Sequence, residues 1–292
     1  MTRENARIWK FVRNAESYIA LSGYMDASRI SMSKNSYNHN LIKSGAEGNP
    51  RNRILIVTPT LGKIRIEWAM ARYGQAVPPN WSSSHASLGI GTDVIMHYLV
   101  ADAQNLGCED VVKKNFEWLL LWEDDVIAPY DAFLKINKYM HKPEVPVVSG
   151  LYYQKSEYVE PLVYRGLGNG AFDDFKIGEK VWADGVPTGF LLIHSSLIKL
   201  MYKESEEYQT LGGRKTKRIF ETPAKMSFDE EKQAWLSGQG TSDLNWCHRV
   251  IKENVLRRAG WPKIARKKYP FLVDTNIFCK HIDLITGRQY PK

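Results

Sequence analysis

Apolar runs and amphipathic stretches alternate from Arg53 to Tyr152, and that alternation predicts an open, largely parallel α/β sheet. Arg53-Ile54-Leu55-Ile56-Val57 is a short β-branched run, which predicts a strand ending in the turn Thr58-Pro59-Thr60-Leu61-Gly62. Gly91 to Lys114 carries Val94, Tyr98, Ala101, Asn105 and Val112 at mostly helical spacing. Residues 116 to 122 are almost wholly apolar, as expected of a strand covered on both faces. Tyr130 to Met140 then reads as a helix and Val145 to Tyr152 as another strand, so the order is β-α-β throughout this half.

Outside that stretch the pattern changes. Ile8, Phe11, Val12, Ala15 and Ile19 share one helical face within residues 4 to 20, and Ser31 to Pro50 is a Ser-, Asn- and Gly-rich linker. The expected organisation is therefore an N-terminal helix and linker at 1–50, followed by one domain over 51–292. Lys180-Val181-Trp182 and Phe190 to His194 read as strands around a bend with Gly185 and Gly189, two glycines that suit either a close approach to a ligand or a simple turn. Ser195 to Tyr202 is helical, and Leu211 to Gln239 is polar and weakly periodic, which predicts a functional lid or a disordered loop. Thr241-Ser242-Asp243 precedes Leu244, Trp246, Val250 and Ile251, so Ser242 or Asp243 is expected to cap a helix. Phe271 to Asp274 and Ile277 to His281 close the chain as two strand-like runs.

Composition narrows the class. At 292 residues, 43% hydrophobic and 25% charged, the chain can bury a large core. It has no apolar run of membrane-spanning length and no signal-peptide core after Met1, so a cytoplasmic protein is expected. The 3 cysteines, Cys108, Cys247 and Cys279, have no Cys-x-x-Cys spacing and support neither a disulfide framework nor a zinc knuckle. The net charge of +8 favours anionic partners. Two basic clusters, Arg214 to Arg218 and Arg257-Arg258 through Lys268, suit a diphosphate, peripheral membrane contact or simply solvent. No nucleic-acid-binding pattern accompanies them.

The chemistry concentrates at Glu123-Asp124-Asp125, where a buried strand emerges. Adjacent carboxylates repel, and a hard cation relieves that repulsion; the other reading is an acidic turn capping the helix near Pro129. Downstream come the Gly185 to Gly189 loop, Thr241-Ser242-Asp243 opening a helix, and His281. Ala103-Gln104-Asn105-Leu106-Gly107 lies upstream. This ordered set resembles the GT-A glycosyltransferases, in particular family-2-like members. They carry an Asp-x-Asp-like metal motif, a glycine-containing acceptor loop, an x-Glu-Asp motif, a late metal-binding histidine and an Ala-Arg-Asn-x-Gly segment. Glu123, Ser242 and Gln104 depart from those patterns.

The resemblance implies a GT-A-like open, mostly parallel sheet flanked by helices, the nucleotide-diphospho-sugar transferase fold. Its nucleotide-binding half would be about 51–150 and its acceptor-binding half about 151–292. It implies metal-dependent transfer of a sugar from a UDP- or GDP-linked donor to a glycan, lipid-linked or protein acceptor, with Mn²⁺ or Mg²⁺ held by Asp125, Glu123 and His281. Thr58, Pro59, Thr60, Asp102, Glu123 and Asp124 would face the nucleotide. Trp182, Asp184, Thr188 and Gly189 would face the acceptor, and Asp243 would be the general base of an inverting enzyme. A sugar-phosphate nucleotidyltransferase and a catalytically inactive nucleotide- or carbohydrate-binding module are the alternatives. A glycoside hydrolase would need paired acids without a nucleotide site.

Overall fold

A computed structural model describes residues 54–78, 81, 94–166, 170–229 and 233–292. The helix expected at 4–20 and the linker at 31–50 lie outside the described residues. In chain order the first half contains β1 (Ile54–Thr60), α1 (Ile66–Tyr73), β2 (Val94–Met96), α2 (Val100–Lys113), β3 (Trp118–Trp122), β4 (Val126–Ile127), α3 (Ala132–His141) and β5 (Val147–Leu151). The second half follows with β6 (Lys180–Ala183), β7 (Phe190–His194), α4 (Ser195–Glu204), β8 (Glu207–Gln209), β9 (Lys215–Lys217), β10 (Ala224–Asp229) and β11 (Ala234–Gln239). The chain closes with α5 (Ser242–Lys252), α6 (Val255–Arg258), α7 (Pro262–Ala265), β12 (Phe271–Phe278), β13 (Lys280–Ile282) and β14 (Gln289–Tyr290).

The central sheet has the order β2-β1-β3-β7-β5-β12-β6. β2, β1, β3, β5 and β12 point one way, while β7 and β6 run against them. This is a mixed α/β architecture with a mostly parallel sheet flanked by helices. Every residue of β1, β3 and β5 is buried, so both faces are covered, as continuous apolar runs require. Aromatic side chains fill much of the interior, among them an edge-on Trp68–Trp122 pair and the Phe220–Trp246–Phe271 stack. The three cysteines are free and buried. Among the described residues no helix is long and apolar enough to cross a membrane.

Four local expectations are corrected. β1 does not stop at Val57 but runs on through Thr60, because β2 pairs alongside Thr58, Pro59 and Thr60. Pro59 lies past the last β1–β3 pair, Val57 with Leu121, so its missing N–H costs that ladder no bond. Val94 belongs to β2 rather than to a helix; His97 adopts φ 64°, which ends the extended run before α2 begins. Of the two readings of 211–239, the disordered loop is corrected, since the segment contributes β9, paired with β8, and the β10–β11 hairpin. The two terminal runs are one strand, β12, followed by β13.

Candidate functional site

β2 and β3 lie on opposite sides of β1, so the chain leaves β1 in both directions and the sheet carries a switch point there. Crevices open at such points beyond the carboxyl ends of the strands. β1 and β3 pair only as far as Val57 and Leu121 and then part. The three acids follow immediately after β3.

Their turn is rigidly held. The Glu123 N–H donates to Gly189 O at 3.0 Å, and its carbonyl accepts from the Val126 N–H at 3.2 Å. That carbonyl also accepts from the Trp68 indole of α1 at 2.8 Å, while the Trp122 indole donates to Val126 O at 2.6 Å. Since β7 runs antiparallel to β3, Phe190 pairs with Trp122, which sets Thr188 and Gly189 beside Glu123. The Thr188 hydroxyl donates to Glu123 Oε1 at 2.8 Å and accepts from Gln104 Nε2 of α2 at 3.0 Å. Gln104 therefore occupies the site rather than the surface, and its own Oε1 is buried without a partner.

The acids differ in environment. Burial, helped by the charge of Asp125, pushes Glu123 up to about 8. Burial also raises Asp124 to about 6, against a hydrogen bond from Thr60 that favours its charged form. Burial likewise acts on Asp125, but the His281 ring and the Lys155 ammonium outweigh it and hold this carboxyl below its usual range. Asp125 Oδ2 faces Lys155 Nζ at 2.5 Å and His281 Nε2 at 3.3 Å. Asp125 is thus the acid whose charge the site favours most.

His281 arrives from 156 residues away because β13 pairs with β4, placing it opposite Val126. The Ile282 N–H closes the junction on Asp125 O at 2.7 Å. His281 Nδ1 lies 2.9 Å from Tyr153 O, and a carbonyl can only accept, so Nδ1 carries the proton. Nε2 faces the Asp125 carboxylate, and a proton or a cation between the two makes that pair attractive. Asp125 Oδ1 is buried with no partner. Both features fit a divalent cation bound by one carboxylate and one imidazole, with ligand oxygens and water completing its shell. Among the described residues no group of three or more His, Cys, Asp or Glu side chains is placed to hold a metal ion. The expected trio therefore reduces to Asp125 and His281, because Glu123 is turned toward Thr188.

Asp243 stands in the first turn of α5. Its carboxyl is raised chiefly by burial, it accepts a bond from the Thr188 backbone, and its charge reaches Glu123. The N-cap is Thr241, whose side chain makes no capping bond; Asp243 Oδ1 instead accepts the first-turn Leu244 N–H at 2.7 Å, so of the two expected candidates Asp243 serves a free helix donor. Gly185 lets α5 approach: a Cβ there would lie 2.9 Å from Leu244 Cδ2. At Gly189 a Cβ would meet Tyr152 Oη at 2.3 Å. These glycines thus make room for neighbouring side chains.

Other predicted residues fall elsewhere. Thr58 and Pro59 are buried within β1, and Thr60 reaches the site through Asp124. Asp102 accepts from the Tyr208 hydroxyl at 2.6 Å and is not brought to the acids. Asp184 accepts from the Gly166 N–H at 2.8 Å and tethers that loop. Trp182 lies on the edge strand β6, with β12, β5 and β7 between it and β3, a lateral distance of about 19 Å at the usual strand spacing. Lys267 covers its ring at 4.0 Å. The basic run 214–218 is matched locally: Arg214 pairs with Glu109, Lys215 with Glu207, and Arg218 with Glu206 and Glu221. Lys155 and Tyr152 escaped the sequence reading, although both follow β5 at the same carboxyl edge that singled out the acids.

No family model and no curated protein matches this chain. Solved structures do match, among them the crystal structure of A197 from STIV, with 14% identity, 80% of this chain and 87% of that chain covered, and a TM-score of 0.47.

Proposed function

We propose that the chain is a metal-dependent glycosyltransferase of GT-A-like fold, which moves a sugar from a nucleotide-diphospho-sugar to an acceptor hydroxyl. The observation that supports this most is the meeting of Glu123, Asp124 and Asp125 with Asp243 and His281 at one sheet edge, from three distant segments. Asp125 and His281 would hold Mn²⁺ or Mg²⁺, which when bound supplies Lewis-acid charge for a departing diphosphate. A mixed oxygen and imidazole set suits Mn²⁺ better. Asp243, whose basicity burial raises, is suited to accept the acceptor hydroxyl's proton. Thr188 ties that base to Glu123 and so holds the two sides of the crevice together.

A catalytically inactive nucleotide- or carbohydrate-binding module is the second reading, favoured by the two-residue cation set and by Ser242 and Gln104 at the departing motif positions. Calorimetry with UDP and GDP, each with and without Mn²⁺, tests the first reading. Mn²⁺-dependent binding of either nucleotide, followed by turnover in a sugar-nucleotide screen, supports the transferase. Binding without turnover favours the module, and no binding of either nucleotide defeats the transferase and leaves a carbohydrate-binding module.

A further inference from the structure

Asp125 already holds a positive charge of the protein's own. Lys155 follows β5 by four residues and reaches across to Asp125 Oδ2, the oxygen that also faces His281 Nε2. A divalent ion placed between Asp125 and His281 would meet the ammonium at that same oxygen, and two cations repel strongly at such range. Neither partner is sealed in: the Lys155 side chain is 30% exposed and that of Asp125 18%. The lysine can therefore leave by rotamer change alone, without opening the core. We propose that Lys155 is a resident counter-cation of the acidic centre, which neutralises Asp125 in the metal-free protein and is displaced when a divalent ion enters. This rests on the metal-centre reading above and adds to it a competitor that sets the centre's affinity.

The test is Mn²⁺ binding by calorimetry on the full chain, with thermal melts in the absence and presence of Mn²⁺. Lys155→Met removes the competitor, so Mn²⁺ should bind about tenfold more tightly, the scale of losing one partly exposed ion pair and its repulsion. Lys155→Arg keeps the charge and should stay near the wild-type affinity. The metal-free Lys155→Met protein should melt lower than wild type, and saturating Mn²⁺ should close that gap. Lys155→Gln offers the same comparison should the methionine variant fold poorly. Unchanged or weaker Mn²⁺ binding in Lys155→Met and Lys155→Gln, with melting depressed equally with and without metal, would make Lys155 a plain loop anchor and overturn the exchange while leaving the metal centre intact. Absence of Mn²⁺ binding in wild type and variants alike would overturn the centre and the exchange together.

Discussion

Replacing Gly189 with alanine should reverse the usual sign of a glycine substitution. Gly189 does not adopt a positive φ, so its backbone would accept an L side chain without strain. Where that holds and space is free, Gly→Ala stabilises by roughly 0.4–1 kcal/mol through the unfolded chain. Here the new Cβ would lie 2.3 Å from Tyr152 Oη, 2.6 Å from Tyr152 Cζ and 2.7 Å from Val126 Cγ2. All three are shorter than contacts that real methyl groups make, and Tyr152 is buried, so the ring must shift. The shift also weakens the bond from the Gly189 N–H to Tyr152 Oη, now 2.6 Å. Overpacking at about 1–3 kcal/mol and a hydrogen bond worth about 1 kcal/mol give an expected loss of roughly 2–4 kcal/mol. Because the Tyr152 ring stands edge-on to His281 at 5.4 Å, the displacement should also weaken Mn²⁺ binding. Urea unfolding of wild type, Gly189→Ala, Tyr152→Ala and the double variant measures the effect. The two changes should be far from additive, since removing the ring removes its clash. A Gly189→Ala protein as stable as wild type, or more so, would refute the packing argument.

Two further outcomes follow. Asp243→Asn should abolish transfer, by roughly 10²–10⁴-fold if the carboxylate is the base, while Mn²⁺-dependent nucleotide binding survives; normal turnover would remove that role. Burial, with a lesser push from Lys199, lowers His194 to about 4, so its proton binds the unfolded chain more readily than the folded one. Stability should therefore be complete above an unfolded pKa of about 6.5 and fall as pH drops toward 4, by about 1–2 kcal/mol after allowance for partial exposure. Guanidinium midpoints at several pH values for wild type and His194→Asn check this: asparagine keeps an N-cap acceptor but cannot titrate, and equal pH slopes in both proteins would contradict the assignment.

Much of the sheet was legible because its strands are buried on both faces. Trp118–Trp122 and Phe190–His194 announce themselves as unbroken apolar runs, and the helix at 132–141 has a clear apolar stripe. Val94 was misread because three extended residues next to a helix carry too little periodicity to stand apart from it. The hairpins within 207–239 were missed for a related reason: β8 and the flanking turns are largely exposed, so their residue pattern reflects solvent rather than pairing.

The site divides along the same line. Three adjacent carboxylates after a buried strand singled out Glu123-Asp124-Asp125, and the resemblance to the GT-A glycosyltransferases added Asp243 and His281. Neither could assign their partners. His281 meets Asp125 only through the β13–β4 pairing, and Thr188 meets Glu123 only because β7 runs against β3. Lys155 reaches Asp125 from the far end of β5, and Trp182 is carried to the opposite edge of the sheet. Local hydrophobic pattern determined which segments would become strands and which acids would emerge from them. The order and direction of strands, set by long-range packing that no local window contains, decided which side chains share one crevice and which of its carboxyls meets Lys155 and His281.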